Sequence, residues 1–497
     1  MHKWLIFITA SLVLILTNID YSAVNLALAS IATELHMHLA TVQWIINGYS
    51  SAAAAFAVIG GRLGDIYGYR KMFIVGVAIF TITSIFIGFA QDKWEIIVFR
   101  IIQGAGAAIC WPLCIVITSN AFPENQRGFA VGITMAVASV ALVFGPIIGG
   151  ILLHFLNWRW IFLINIPIGI LTIILAALYI PLPQIKSQEQ FHVLSAALIV
   201  LGLLSITTAL NEGLRWGLAS PLFHLLFWTG IVLVIIFVFL QSRIKNPLLN
   251  FKAWFSPSIG ICLLLRITNQ IVLLTLLFVF SLLLQNILGH TSLTSSFILF
   301  SLTAALSIAA FGSGKFIDRY GSRNLIFIGF ILNCIAALWL TQSNISHSLI
   351  QFIIPLIIAG LGIGMLIPSL TTAILNSVTT ENRGMISGLN YSSLYLGGSI
   401  GTVLVGWILY SQSSHNAREL ALEFPALNFN QQAHLQTVLN GVYSLKKFVS
   451  AFTNIDITKV TIDIQRAFFH AFSDVMWMCV WVSVFSFLLA WKIKRDI

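Results

Sequence analysis

The sequence predicts an all-α polytopic membrane protein with fourteen transmembrane helices, grouped as two six-helix bundles plus two inserted helices. Three observations lead there. Of 497 residues 58% are hydrophobic, against 26 Lys and Arg and 16 Asp and Glu, and mean hydropathy is +0.95; soluble domains carry about a quarter charged residues. Apolar runs of roughly 20 residues, long enough to cross a bilayer core, recur from end to end. A glycine-rich charged stretch, GRLGDIYGYRK at 61–71, returns as GKFIDRYGSR at 314–323.

In chain order the runs place helices near 5–29, 41–60, 71–90, 94–119, 129–153 and 159–180, which form the first bundle within residues 1–185. The first run has the outline of a signal peptide, with basic MHK before it and LALAS at 26–30 as a small-residue site. It is longer than a usual h-region and contains Asn18, Asp20 and Asn25, so it reads as a retained helix. Runs at 192–211 and 222–241 are the inserted pair, within 186–250. Those near 256–284, 295–312, 323–341, 348–376, 385–410 and 469–490 form the second bundle, within 251–497. One long outer loop is expected at about 411–468, where NARELALEF and NGVYSLKKFVSAF suit interfacial or short amphipathic helices.

Placing both termini in the cytoplasm leaves only Lys93, Arg159 and Arg215 in the short outer loops and collects most other bases inside. That asymmetry is the positive-inside pattern, and it absorbs most of the net charge of +10. Bases dispersed over many loops give no support for nucleic acid binding. The five cysteines all lie in apolar segments without paired spacing and read as small hydrophobes, not disulfides. Cys110 and Cys114 share a helix face with no His or Asp nearby, so no metal site is expected.

The repeat extends beyond the charged loop. QGAGAAICWPLC at 103–114 matches AGLGIGMLIPSL at 359–370, and ENQRG at 124–128 matches ENRG at 381–384. Helices 1–6 therefore recur as helices 9–14, the parallel-repeat plan of transporters that alternate access around a central cavity. Gly61, Gly64 and Gly68 permit close helix approach and a tight reversal. Asp65 can accept from the N-terminus of a neighbouring helix, or pair with Arg70 or Arg127. With Asp318, Arg323 and Arg383 in the second copy, these residues are the candidate latch between bundles; a plain charged turn is the other reading.

Charges inside apolar spans are costly, and each is a functional candidate. Asp20, flanked by Asn18 and Asn25, is the candidate proton carrier or substrate contact, with a structural link to helix 4 as the alternative. Arg100, one turn before the further candidate Gln103 in helix 4, cannot readily lose its charge and needs a partner, for which Asp20 is the natural choice. Arg266 is expected to snorkel to the cytoplasmic interface, ahead of a cavity role. Glu212 and Arg215 suit a local surface pair, while Gln285, Asn286 and Asn390 are possible cavity polars. In helix 5, Pro146 removes a backbone bond and Gly145, Gly149 and Gly150 thin the helix, predicting a kinked, leak-resistant contact between bundles. Trp111, Phe144, Trp158 and Tyr391 are candidates to line an apolar cavity.

Taken together, these motifs resemble the major facilitator superfamily, and specifically its fourteen-helix drug:proton antiporter branch. GRLGDIYGYRK is similar to the family's loop 2–3 motif, RIIQGAGAA at 100–108 to its fourth-helix motif and FGPIIGGIL at 144–152 to its fifth-helix antiporter motif. NIDYSAVNLAL at 18–28 and NWRWIFLINIPIG at 157–169 resemble the branch's first-helix and sixth-helix patterns. The resemblance implies a major facilitator fold, an inner-membrane exporter driven by H+ without a cofactor, and a proton-transfer role at Arg100. Its implied partners are the bilayer, protons and a small amphipathic substrate, with a periplasmic adaptor and outer-membrane channel as a further option.

Two positions depart from the branch pattern. His192 stands where many members begin helix 7 with aspartate, and Leu394 where helix 13 usually carries arginine before paired glycines. Lost charges imply a different ion path or a cargo other than the common cationic drugs. The leading expectation is a proton-coupled exporter of amphipathic compounds, the second a same-fold exporter of one metabolite, siderophore or lipid. A membrane enzyme or sensor lacks any nucleophile–base spacing, and GRLGDIYG lacks the ending of a phosphate loop.

Overall fold

The computed structural model describes residues 2–181, 192–217, 219–244, 257–343, 349–379, 382–423, 435–439, 441, 444–449 and 457–493. Fourteen long helices carry the fold among these residues: α1 (His2–Glu34), α2 (Trp44–Tyr67), α3 (Tyr69–Gly88), α4 (Lys93–Ala121), α5 (Arg127–Phe155), α6 (Asn165–Tyr179), α7 (Val193–Trp216), α8 (Pro221–Arg243), α9 (Pro257–Leu282), α10 (Ser292–Tyr320), α11 (Ser322–Thr341), α12 (Ile350–Asn376), α13 (Arg383–Glu423) and α14 (Ile457–Ala490). Among the described residues, thirteen spans are long and apolar enough to cross a membrane. The exception, α2, is diluted by the glycines, serines and charges that its packing requires.

Local chemistry sets the boundaries. Asp92 and Glu95 form a reciprocal capping box at the start of α4, and Ser220 caps α8 ahead of Pro221. Gly68 and Gly321, at matching places in the repeat, have φ of 93° and 79°. Only glycine adopts that region cheaply, so each ends one helix and begins the next within a single residue.

The duplication is visible in the packing. Within the first six helices α1 meets α4, α5 and α6, α2 meets α4, and α3 meets α4 and α6. Adding eight to each number reproduces the pairings of the last six. The two groups meet along two seams, α2 on α13 and α5 on α10, which the same operation exchanges. The inserted α7 packs on both α2 and α13, covering one seam, while α8 packs on α7 and turns Leu225, Trp228 and Phe239 outward.

One expectation is corrected, and a neighbouring one is given its residues. The long outer loop is much shorter than expected, because α13 continues to Glu423, absorbing most of NARELALEF, and α14 begins at Ile457. Within NGVYSLKKFVSAF a short helix, Leu445–Val449, packs Leu445 and Phe448 with Leu435, Leu439, Val460 and Ile464 in a separate small core. Hydropathy misses these extensions because they stand beyond the apolar run that defines a span.

Candidate functional site

Deep in the first bundle, Arg100 of α4 and Asp20 of α1 form a fully buried ion pair, Nη1 to Oδ2 2.6 Å. Arg100 also donates from Nη1 to Gln103 Oε1 at 2.6 Å and from Nε to the Ile45 carbonyl at 3.1 Å. Its guanidinium carbon lies 4.4 Å from the centre of the Tyr49 ring and 5.6 Å from that of Phe162. Asn165 of α6 donates to Asp20 Oδ1 at 3.0 Å, and Gln103 donates to Ser84 Oγ of α3 at 2.7 Å. Five helices, α1, α2, α3, α4 and α6, thus contribute to one polar knot, which has both charges balanced.

Beyond Asp20, Arg100 is held by Gln103, the Ile45 carbonyl and two aromatic faces, neutral contacts that supplement the carboxylate without replacing its charge. Asn18 and Asn25 stay outside the knot: their amides bond back to the Leu14 and Tyr21 carbonyls. Asn165, Ser84 and Tyr49 were not among the sequence candidates; a polar Asn165 inside an apolar run was the available signal.

The second group of residues lies on the face carrying loops 2–3 and 10–11. Asp65, near the end of α2, accepts from the backbone N–H groups of Gly384 and Met385, both at 2.8 Å, at the start of α13. Asp318, near the end of α10, accepts from Gly128 and Phe129 N–H at 2.7 and 2.9 Å, at the start of α5. Each carboxylate thus ties its own six-helix group to the N-terminus of a helix in the other, where orphan N–H groups and the helix dipole favour negative charge. Of the two alternatives open for Asp65, the helix terminus is the one observed. Arg127 pairs instead with Glu124 at 2.9 Å, Arg70 donates to the Ala177 carbonyl, and Arg323 donates to the Trp491 carbonyl. Arg383 does cross between groups, donating to Asn120 Oδ1 of α4 at 2.7 Å.

Glycines make the seams thin. A Cβ on Gly61 would collide with the Gly384 carbonyl, and one on Gly132 would lie 2.7 Å from the Gly314 Cα. Gly64 instead faces Leu113 within the first group. Further along α13, Ser387 donates to the Pro112 carbonyl at 2.8 Å, Ser392 donates to the Ala54 carbonyl, and Tyr391 stacks on Trp111 at 4.3 Å. Most of these crossings fall on the halves of the helices next to loops 2–3 and 10–11, with the Ser392 bond to Ala54 near the middle of α2.

Other sequence candidates are placed as follows. Gly145 and Gly149 pack on Ser22 and Ala23 of α1, inside the first group and not across the gap, and Gly150 has nothing close. The expected inter-bundle contact is therefore an intra-bundle one here: α5 runs unbroken through Pro146, and the small residues draw it onto α1. Phe144 is exposed, and Trp158 is buried with its Nε1 donating to Glu34 at 2.6 Å. Gln285 donates to Ser281, Asn286 donates to the Gly441 carbonyl at 2.7 Å, and Asn390 donates to Thr371 at 3.2 Å. Glu212 is buried, not superficial, bound to both Arg215 and Asn47 at 2.9 Å, which fastens α7 to α2. His192 precedes the first residue of α7, and Leu394 is half-buried on α13. Arg266 does not snorkel; it is 2% exposed.

A family model described as Major Facilitator Superfamily matches residues 10–402. The chain is 28% identical over 418 residues to the tetracenomycin C resistance and export protein of Streptomyces glaucescens, covering 83% of this chain and 77% of that one. It is 28% identical over 406 residues to the multidrug resistance protein Stp of Mycobacterium tuberculosis, covering 82% and 75%. Among solved structures, the proton:xylose symporter XylE bound to 6-bromo-6-deoxy-D-glucose superposes with a TM-score of 0.61 at 14% identity, over 99% of this chain and 96% of that one.

Proposed function

The chain belongs to the major facilitator superfamily, and on that premise we propose that it is a proton-coupled antiporter exporting amphipathic organic compounds by alternating access. Family and fold indicate a multi-pass membrane transporter, not an enzyme. The export direction and the drug-like cargo are supported by relatives named for resistance and export. Localisation in a bacterial inner membrane with both termini cytoplasmic is supported by the bases gathered beside the latch face.

Proton coupling rests on one observation: the Asp20 carboxylate, fully buried and held by both Arg100 and Asn165. A proton entering from outside neutralises Asp20 and leaves Arg100 on its neutral partners. That weakens the hold of α1 on α4 and α6 and favours rearrangement of the bundle. In this cycle the two carboxylate latches shut the cytoplasmic face while cargo leaves on the other side, a reading supported by the Asp65 and Asp318 contacts between the bundles. A gradient of one pH unit supplies about 1.4 kcal/mol per proton for the cycle.

Proteoliposomes with an imposed pH gradient test this reading against a panel of lipophilic cations, neutral amphiphiles and carboxylate dyes. We expect Asp20→Asn, which keeps the shape and the Asn165 contact region, to abolish gradient-driven export while substrate exchange without a gradient continues. Export at the full rate in Asp20→Asn removes the coupling role from this residue.

A further inference from the structure

We propose that Arg266, Asn269 and Gln270 on α9 form a recognition site for an anionic group of the cargo, a carboxylate fitting best; the assignment rests on the exporter reading above. The three side chains stand at i, i+3 and i+4, so they share one helix face. They are 2%, 0% and 5% exposed. Among the described residues, five of their polar atoms have no hydrogen-bond partner: Arg266 Nε and Nη1, Asn269 Nδ2 and Oδ1, and Gln270 Oε1. No acidic side chain forms an ion pair with Arg266 among those residues.

The face can be located. Ile267 and Ile271 lie against Gly397 and Gly401 of α13, and Thr268 accepts a bond from Ser486 of α14 at 2.8 Å. At 100° per residue, Arg266 emerges on the side of α9 opposite Thr268, away from α14. Gln270 sits at the α13 edge, 2.9 Å from where a Cβ on Gly397 would fall. Arg266 is nine residues into a helix that starts at Pro257, or about 14 Å along it.

An arginine at this depth stays charged, and a lone buried cation is tolerated only where an anion completes it. Its planar fork matches a carboxylate bidentately, and the Asn269 amide supplies a further donor. The contrast with the first bundle is direct, since there Arg100 has Asp20 and here no acid among the described residues takes that part. A polar face left open on both nitrogen and oxygen atoms suits a ligand that brings both acceptor and donor capacity.

The test is equilibrium binding of two dyes to the full chain in detergent, read by fluorescence anisotropy. Tetramethylrhodamine carries a carboxylate on its pendant ring; tetramethylrosamine is the same dye without it. Wild type is expected to prefer tetramethylrhodamine by about tenfold or more, the effect of one good charge-assisted contact. Arg266→Met should erase that preference and raise the melting temperature of the dye-free protein, because an unpaired buried charge has gone. Arg266→Lys should keep part of it, and Gln270→Leu, which retains the charge, should reduce it about threefold. Equal affinity of wild type for both dyes, or binding of neither, overturns the anion site. Equal affinity leaves the exporter reading standing, and that reading fails separately if no panel compound is exported. A preference that survives Arg266→Met also overturns the site. So does displacement of the dye by chloride at matched ionic strength, which would mark a simple halide site.

Discussion

The two seams between the bundles are copies of one another, yet they are finished differently. On the α2–α13 seam Asp65 is half-buried, Gly61 meets the Gly384 backbone, and α7 lies across both helices. Asn211 of α7 donates to Ser51 of α2 at 3.2 Å and accepts from Ser399 of α13 at 2.6 Å, so one side chain touches both bundles. On the α5–α10 seam Asp318 is exposed, Gly132 meets Gly314, and among the described residues neither α7 nor α8 packs on the joint. The two ties share one design, and the inserted α7 lies over the first. The first is therefore expected to be the more expensive to open.

Four changes sharpen or break that comparison. The largest effect is expected from Gly61→Ala, because the added methyl meets backbone that cannot turn aside, the Gly384 carbonyl and Met385 Cα at 3.1 Å. Overpacking of this kind costs about 1–3 kcal/mol or more, and spin labels at Lys71 and Asn382 should separate; an unchanged distance distribution would show that the seam is not tight there. Next is Asp65→Asn, which loses two charge-assisted bonds worth about 2–4 kcal/mol together and should raise the population open on that face. Asp318→Asn removes the same pair of bonds in solvent, where screening lowers the loss to about 1–2 kcal/mol. If the two aspartates give equal shifts, the seams are energetically alike and the cover by α7 is irrelevant. Asn211→Ala should be smallest, about 1 kcal/mol, felt on the covered seam alone; labels across the α5–α10 seam should not move.

Much of this architecture was legible beforehand. Span number, the repeat and the Asp20–Arg100 pairing follow from apolar length, matched motifs and the need of a buried arginine for a partner. What escaped was whatever depends on which helix faces which. Asn165 is a single polar residue in an apolar run and Ser84 stands beside Thr81 and Thr83, and only the packing of α6 and α3 beside α1 and α4 joins them to Asp20. Arg266 was expected at the interface because a long stem near a helix end can reach water; burial by α13 and its neighbours denies it that route. The glycines of α5 were assigned to the gap between bundles, yet periodicity cannot distinguish a face turned to α1 from one turned to α10. Helix extensions at α13 and α14 were missed because hydropathy ends where the bilayer does and hydrogen bonding does not.

The glycine lining of both seams has a kinetic meaning. Where backbone lies on backbone, no long side chain must find its rotamer when the surfaces meet again, so reclosure carries little ordering entropy. The carboxylates then find N–H groups already held in place by a helix. Such a joint can part and mate many times without searching, which is what a machine that turns over must do.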